Sequence, residues 1–261
     1  MKIVVCIKQV PDTKGGVKFN PDGTLDRAAM MTIMNPDDKA GLEAALRLKD
    51  QYGAEVTVIT MGLPKAEDVL REAMAMGADK AILVTDRVLG GADTWATSQT
   101  LAGAIRNLEY DLIITGRQAI DGDTAQVGPQ IAEHLGVPQI TYAAAIDYDA
   151  ARETLIVKRQ FEDRYQTLEV KGQCLITILS TLDKPRYMNV WDIVGQDEKE
   201  IGLITFADLD LNKEDIGLGG SPTKVKSTAT KQFDKTIETL ELDPESAAKA
   251  IVDALKERHL I

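Results

Sequence analysis

Hydrophobic and polar positions along this chain follow two patterns. Short, nearly unbroken apolar runs at residues 2–8, 55–61, 80–85, 111–115 and 175–179 read as strands covered on both faces. Between them, apolar residues recur three and four apart: Leu42, Ala45 and Leu46; Val69, Leu70, Ala73 and Met76; Leu101, Ala104, Ile105 and Leu108; Val127, Ile131 and Leu135. That spacing puts each set on one helical face, and Gly53, Gly77 and Gly136 mark helix ends. Strands alternating with helices predict an α/β fold on a doubly wound, mostly parallel sheet.

Three segments depart from this alternation. Pro11, Gly15-Gly16 and Pro21-Asp22-Gly23 punctuate a polar stretch that predicts a small hairpin. From Thr141 the period changes to two, so residues 141–147, 154–159 and 164–170 read as an antiparallel extension of the sheet edge. Beyond Pro185 the core pattern thins to short apolar groups, a turn-rich Gly217-Leu218-Gly219-Gly220-Ser221-Pro222 and a Lys/Thr-rich stretch. Helical spacing returns only over residues 244–258, with Ala248, Ile251, Val252 and Leu255 on one face. The expected division is therefore an α/β domain over 1–184 and a C-terminal arm over 185–261 that orders on a partner.

Two loops carry candidate chemistry. Thr115 to Gly128 leaves a buried strand and enters a helix, at the carboxyl end of a parallel strand where open α/β sheets hold ligands. With Asp123 or Thr124 as the cap, the N–H groups of Ala125, Gln126 and Val127 lack helical partners and suit a phosphate. A plain capped turn accounts for the same residues equally well. Asp121 and Asp123 oppose a bare phosphate unless one caps the helix and the other accepts from a ribose hydroxyl. The second loop, Leu89-Gly90-Gly91-Ala92-Asp93-Thr94 with Thr97, also follows a strand, and its glycines admit a close backbone approach. Two such loops at one crevice point to a nucleotide site. Asn35-Pro36-Asp37-Asp38 reads as a helix start: a capping asparagine, proline at the first position, acids in the first turn.

Composition narrows the partners. The 261 residues suffice for a sizeable core, and a formal charge of −11 argues against a nucleic-acid backbone or an anionic membrane as partner. The chain contains no run apolar and long enough to span a bilayer, and its first residues are too short and too charged for a signal peptide, so a cytoplasmic location is expected. Cys6 and Cys174 lie in apolar strand-like runs, and His134 and His259 are the only histidines, which leaves metal and acyl-transfer chemistry without residues to carry it.

Taken together, these residues resemble the β (small) subunit of electron transfer flavoproteins. The resemblance rests on Cys6-Ile7-Lys8-Gln9-Val10, Asn35-Pro36, Met74-Ala75-Met76-Gly77-Ala78-Asp79, the Gly116 to Gly128 loop and Lys184-Pro185-Arg186-Tyr187. Arg159, Glu162, Asp163, Gln166, Leu168, Leu175, Ile176 and Thr177 fit the family's signature, whereas Arg164 and Gln173 depart from it. The resemblance implies a Rossmann-like, adenine-nucleotide-binding domain paired with a large (alpha) subunit that carries FAD. It implies that Cys6, Asn35 and Met61 surround the adenine end and that the loop of Thr124, Ala125, Gln126 and Val127 holds phosphate through its backbone; Gly116 and Asp121 are further candidate cofactor-binding residues.

Members of the family hold either a structural AMP or, in the electron-bifurcating anaerobic type, a second FAD. Alkyl side chains at Ala125 and Val127, and a loop in which Gly91, Asp93, Thr94 and Thr97 could contact a second phosphate, favour FAD here, with AMP as the alternative. The implied activity is acceptance of a hydride from NADH and its division between ferredoxin or flavodoxin and, through the large-subunit FAD, an acyl-CoA dehydrogenase-like enzyme; no side chain is expected to act as acid or base. Arg117 is a candidate stabiliser of an anionic flavin, beside its commoner reading as a surface ion pair. Residues 187–194 resemble the dehydrogenase-recognition loop, but Gly195-Gln196-Asp197-Glu198 replaces the usual lysine cluster. Two other classes share fragments of the pattern: the Ser-Gly-Gly-x-Asp-Ser loop of ATP pyrophosphatases is faintly similar to residues 90–94, and universal stress proteins are similar adenine-nucleotide sensors.

Overall fold

The structure, a computed structural model, describes residues 1–12, 31–195, 199–224, 226 and 239–261. Residues Met1–Lys224 form one compact unit and Val225–Ile261 another.

In the first unit the apolar runs become strands β1 (Lys2–Cys6), β2 (Gln9–Pro11), β3 (Thr32–Met34), β4 (Glu55–Met61), β5 (Lys80–Val84), β6 (Leu112–Gly116), β7 (Gln139–Asp149), β8 (Thr154–Gln160), β9 (Tyr165–Val170), β10 (Cys174–Ile178) and β11 (Ile201–Ile204). The helices are α1 (Pro36–Tyr52), α2 (Glu67–Met76), α3 (Thr94–Ile105), α4 (Val127–Leu135) and the short α5 (Val190–Val194). Nine strands make one sheet in the order β11-β5-β4-β1-β6-β10-β7-β8-β9, while β2 and β3 pair separately and antiparallel. The turn of the expected hairpin, at residues 13–30, lies outside the described residues.

The sheet is doubly wound, as the alternation of strands and helices predicts. Ile3, Val5 and Ile7 of the first strand region join a core with Leu42, Leu46, Val69 and Leu70 of α1 and α2. Val4 and Cys6 point the other way, into a second core with Leu101, Ile105, Ile131 and Ala132 of α3 and α4. Central strand β6 is buried throughout, which explains its unbroken apolar run. The chain moves from β1 outward to β4 and β5, then returns to place β6 on the other side of β1. That reversal is a topological switch point, and a crevice opens beyond the strands' carboxyl ends there.

The edges differ from expectation in two ways. Strand β7 begins at Gln139 rather than 141 because its first residues pair parallel with β10 before the rest pairs antiparallel with β8. At the changeover Tyr142 adopts φ +60°, and its N–H donates to Thr177 Oγ1 at 3.0 Å. At the opposite edge, β11 pairs parallel with β5. The compact unit Met1–Lys224 takes in β11, and Leu209 and Ile216 lie in its second core. Four strand residues with half-exposed neighbours are too few for periodicity to reveal.

The second unit contains one described helix, α6 (Pro244–Glu257), capped by Asp243 accepting from the N–H groups of Glu245 and Ser246 at 3.1 Å each. No described helix is long and apolar enough to cross a membrane.

Candidate functional site

The crevice has a volume of about 510 Å³. Its floor is Cys6 at the end of β1 with Ile7 and Lys8 beyond it, Met61 at the end of β4 and Thr115-Gly116 at the end of β6, and its two walls are residues 89–94 and 116–128. Of the residues read from sequence, Cys6, Met61, Gly91, Asp93, Thr94, Thr97, Gly116, Thr124, Ala125, Gln126 and Val127 line it. Asn35 and Asp121 do not: Asn35 is fully buried behind the loop, and the Asp121 carboxylate is held by Lys8 Nζ at 2.8 Å. Thr94 Oγ1 lies 3.1 Å from Gln126 Oε1 and bridges the two walls.

The walls present their backbones differently. On the first, Asp93 caps α3, accepting from Ala96 N–H at 3.1 Å through Oδ1, while Oδ2 accepts from the N–H and hydroxyl of Thr223 at 2.9 and 2.7 Å. Burial raises the Asp93 pKa, but the hydrogen bonds from Thr223, Ala96 and Trp95 outweigh it and leave the carboxyl below its usual value. Gly91, at φ +74°, packs against Leu218, so the segment after β11 straps this wall in place.

On the second wall the expected cap is missing. Helix α4 starts at Val127 with Gln126 at the cap position and no side-chain cap, and Asp123 instead accepts from Gln118 Nε2 at 2.7 Å. The cause is the backbone: Asp123 and Ala125 take φ of +50° and +53°, which delays the helix beyond reach of either residue. The left-handed Ala125 followed by right-handed Gln126 is the alternation that turns successive N–H groups inward as an anion nest. Among the described residues, no acceptor meets the N–H groups of Thr124, Ala125, Gln126 or Val127. Holding an alanine left-handed costs about 1–2 kcal/mol.

What holds this strained loop is the start of α1. Asn35 occupies the cap position, yet its side chain makes no cap: Nδ2 donates to Gln118 O at 2.8 Å and Oδ1 accepts from Ile120 N–H at 3.1 Å. Asp38, also buried, accepts from Lys8 N–H at 2.8 Å and Gly116 N–H at 3.0 Å, tying together the ends of β1 and β6. A Cβ at Gly116 would strike Asp38 Oδ1 and sit 2.8 Å from its backbone nitrogen, so only glycine lets the helix approach. Burial pushes the Asp38 carboxyl up to about 7 against the lowering effect of Asn35 and the two backbone donors. Asp37 accepts from Ser180 N–H at 3.1 Å and stands 3.4 Å from Arg117 Nε, whose guanidinium also lies 5.8 Å from the Tyr142 ring.

Asp38 and Lys8 thus escaped the sequence reading. An acid in a first helical turn looks like a dipole complement, and nothing local reveals that it bridges two distant strands.

The cleft has no activated nucleophile. Burial pushes the Cys6 thiol up to about 12, and among the described residues no group of His, Cys, Asp and Glu could hold a metal. Its chemistry is that of a binding site: a row of open N–H groups for an anion, and apolar walls from Met61, Leu89 and Leu101 for a ring system.

A model of the electron transfer flavoprotein domain matches residues 22–208. The chain is 52% identical, over all of both chains, to the "Electron transfer flavoprotein subunit beta" of Clostridium acetobutylicum. It is 47% identical to the "Caffeyl-CoA reductase-Etf complex subunit CarD" of Acetobacterium woodii and 46% identical to the "Acryloyl-CoA reductase electron transfer subunit gamma" of Anaerotignum propionicum, again over the whole of both chains.

Proposed function

This chain belongs to the electron transfer flavoprotein family as a β-subunit, and on that premise we propose that its crevice holds FAD within a cytoplasmic complex with a large (alpha) subunit. The observation that carries the proposal is the row of open N–H groups from Thr124 to Val127 on an uncapped helix start inside the crevice. When bound, the FAD supplies acceptance of a hydride from NADH and delivery of single electrons to ferredoxin or flavodoxin and, through the large-subunit FAD, to an acyl-CoA dehydrogenase-like partner.

The chain's own residues bind and orient. Ala125 and Val127 present alkyl side chains, so the backbone alone grips a phosphate. The Thr94 and Thr97 hydroxyls on the opposite wall give a second polar strip for the rest of a dinucleotide. Cys6 and Met61 form an apolar seat for an adenine, and Asn35 and Asp121 serve from outside the lining by fixing the loop. The exposed Tyr187, Val190, Trp191 and Val194 offer an apolar docking surface for the dehydrogenase. Residues 196–198, where a lysine cluster is absent, lie outside the described residues. The apolar face of α6 serves the large subunit. Membership of caffeyl-CoA and acryloyl-CoA reductase complexes by the relatives' names supports an acyl-CoA-linked role.

One observation favours the other occupant, AMP: on the first wall the Asp93 carboxylate is engaged by Thr223 and caps the Ala96 N–H of α3, whereas the second wall keeps its N–H groups open as an anion nest. Nucleotide released by denaturing the co-purified two-subunit complex decides. About two FAD per heterodimer with negligible AMP supports the proposal, and about one FAD with about one AMP overturns it in favour of a structural AMP.

A further inference from the structure

Two side chains at the start of α1 face the wrong way for a helix cap and the right way for a brace. Asn35 and Asp38 make their hydrogen bonds to backbone groups of residues 8, 116, 118 and 120, none of them in their own helix. Both side chains are buried, and Asn35 favours the ionised form of Asp38. The loop they hold carries two left-handed non-glycine residues, a conformation it would relax if released.

Resting on the cleft reading above, we propose that Asp38 and Asn35 are positioning residues for the nucleotide: they hold the Gly116–Val127 loop in its open-amide form, and only the ionised Asp38 completes the brace. A carboxylate can accept from Lys8 N–H and Gly116 N–H at once. A protonated carboxyl turns one oxygen into a hydroxyl, a much poorer acceptor than a carboxylate oxygen, and the N–H facing it is held weakly.

The groups facing Asp38 set the pH window. From α1 the Asp37 charge opposes ionisation, with Arg117 beside Asp37 across the crevice. From β1 comes the Cys6 thiol, neutral at physiological pH, while the Lys8 ammonium is engaged by Asp121 in the loop. Burial dominates and places the titration near 7. Affinity then falls as pH drops through neutrality, because the competent fraction falls.

Stability moves in the opposite direction. The carboxyl's folded pKa is raised above its unfolded value of 3.8, so its contribution is fully present below that value and is lost as pH rises toward 7. The brace is tightest where it costs the fold most.

The test is equilibrium dialysis of FAD, and separately of AMP, against the two-subunit complex freed of that nucleotide, comparing wild type with Asp38→Asn. An asparagine accepts from one N–H only and mimics the protonated acid. The ratio of variant to wild-type Kd is expected to be about tenfold at pH 8 and to approach one at pH 6. Taking the ratio cancels the titration of the nucleotide's own phosphate. Thermal unfolding without added nucleotide is expected to show wild type losing ground to the variant as pH rises from 5 to 8. A ratio that stays constant between pH 6 and 8 overturns the proposal while leaving the cleft reading intact. Should Asp38→Asn fail to assemble, wild-type FAD affinity alone decides, a flat profile overturning and an about tenfold loss at pH 6 supporting. Absence of binding by either nucleotide at every pH overturns the cleft reading and this proposal with it.

Discussion

The two walls of the crevice solve the same local problem, a strand turning into a helix, by opposite means. The residues 89–94 wall caps its own helix: Asp93 caps the helix it precedes, and Ser221 and Thr223 strap it from outside. The residues 116–128 wall leaves its helix uncapped, takes up left-handed backbone at Asp123 and Ala125, and borrows its restraint from α1. The capped start gives its Ala96 N–H to Asp93, whereas the externally braced one keeps the N–H groups of residues 124–127 open. On the function proposed above, the difference makes residues 116–128 the anion-binding wall, a distinction that two similar glycine-containing loops do not show.

Mutations can test this contrast in descending order of effect. Gly116→Ala drives a Cβ into Asp38 and the α1 backbone and is expected to cost about 3 kcal/mol in denaturant unfolding, with loss of nucleotide. On the other wall, Gly91→Ala places a side chain at φ +74° against Leu218 and costs about 1–2 kcal/mol, with nucleotide affinity nearly kept. Asp93→Ala removes a cap and costs about 1 kcal/mol in the same assay. Affinity that collapsed in Asp93→Ala and survived in Gly116→Ala would reverse the assignment of the walls. Ala125→Gly relieves left-handed strain and is expected to stabilise the free protein by about 0.5 kcal/mol while weakening nucleotide binding, because the loop is no longer pre-set.

Legibility in the sequence followed burial. The parallel strands and α1 to α4 were readable because each is covered on a face wide enough to leave a period, and Gly53, Gly77 and Gly136 do end helices. Strand β11 was not, since it is four residues long with exposed Gly202 and Leu203. Within the site, the residues on the two loops were found because they are local to strand ends. The roles of Asn35 and Asp38 were misread because Asn-Pro-Asp-Asp is a complete helix-start signal in itself, and the partners that claim its side chains lie 30 to 85 residues away in sequence. Asp123 was misplaced as a cap because positive φ at a non-glycine residue has no sequence signature strong enough to anticipate.

The pairing of β11 with β5, and the strap from Ser221 and Thr223 to Asp93, give the crevice an order of construction. Strands β1, β4, β5 and β6 can pair as soon as residue 116 has been synthesised, and the braced wall follows once residue 128 exists. The other wall waits for about another hundred residues of translation before its strap exists, a long-range closure of the kind that folds slowly. A nascent or prematurely ended chain would therefore carry the anion nest without the wall that encloses it, and tight retention of nucleotide would mark chains whose translation has passed residue 223.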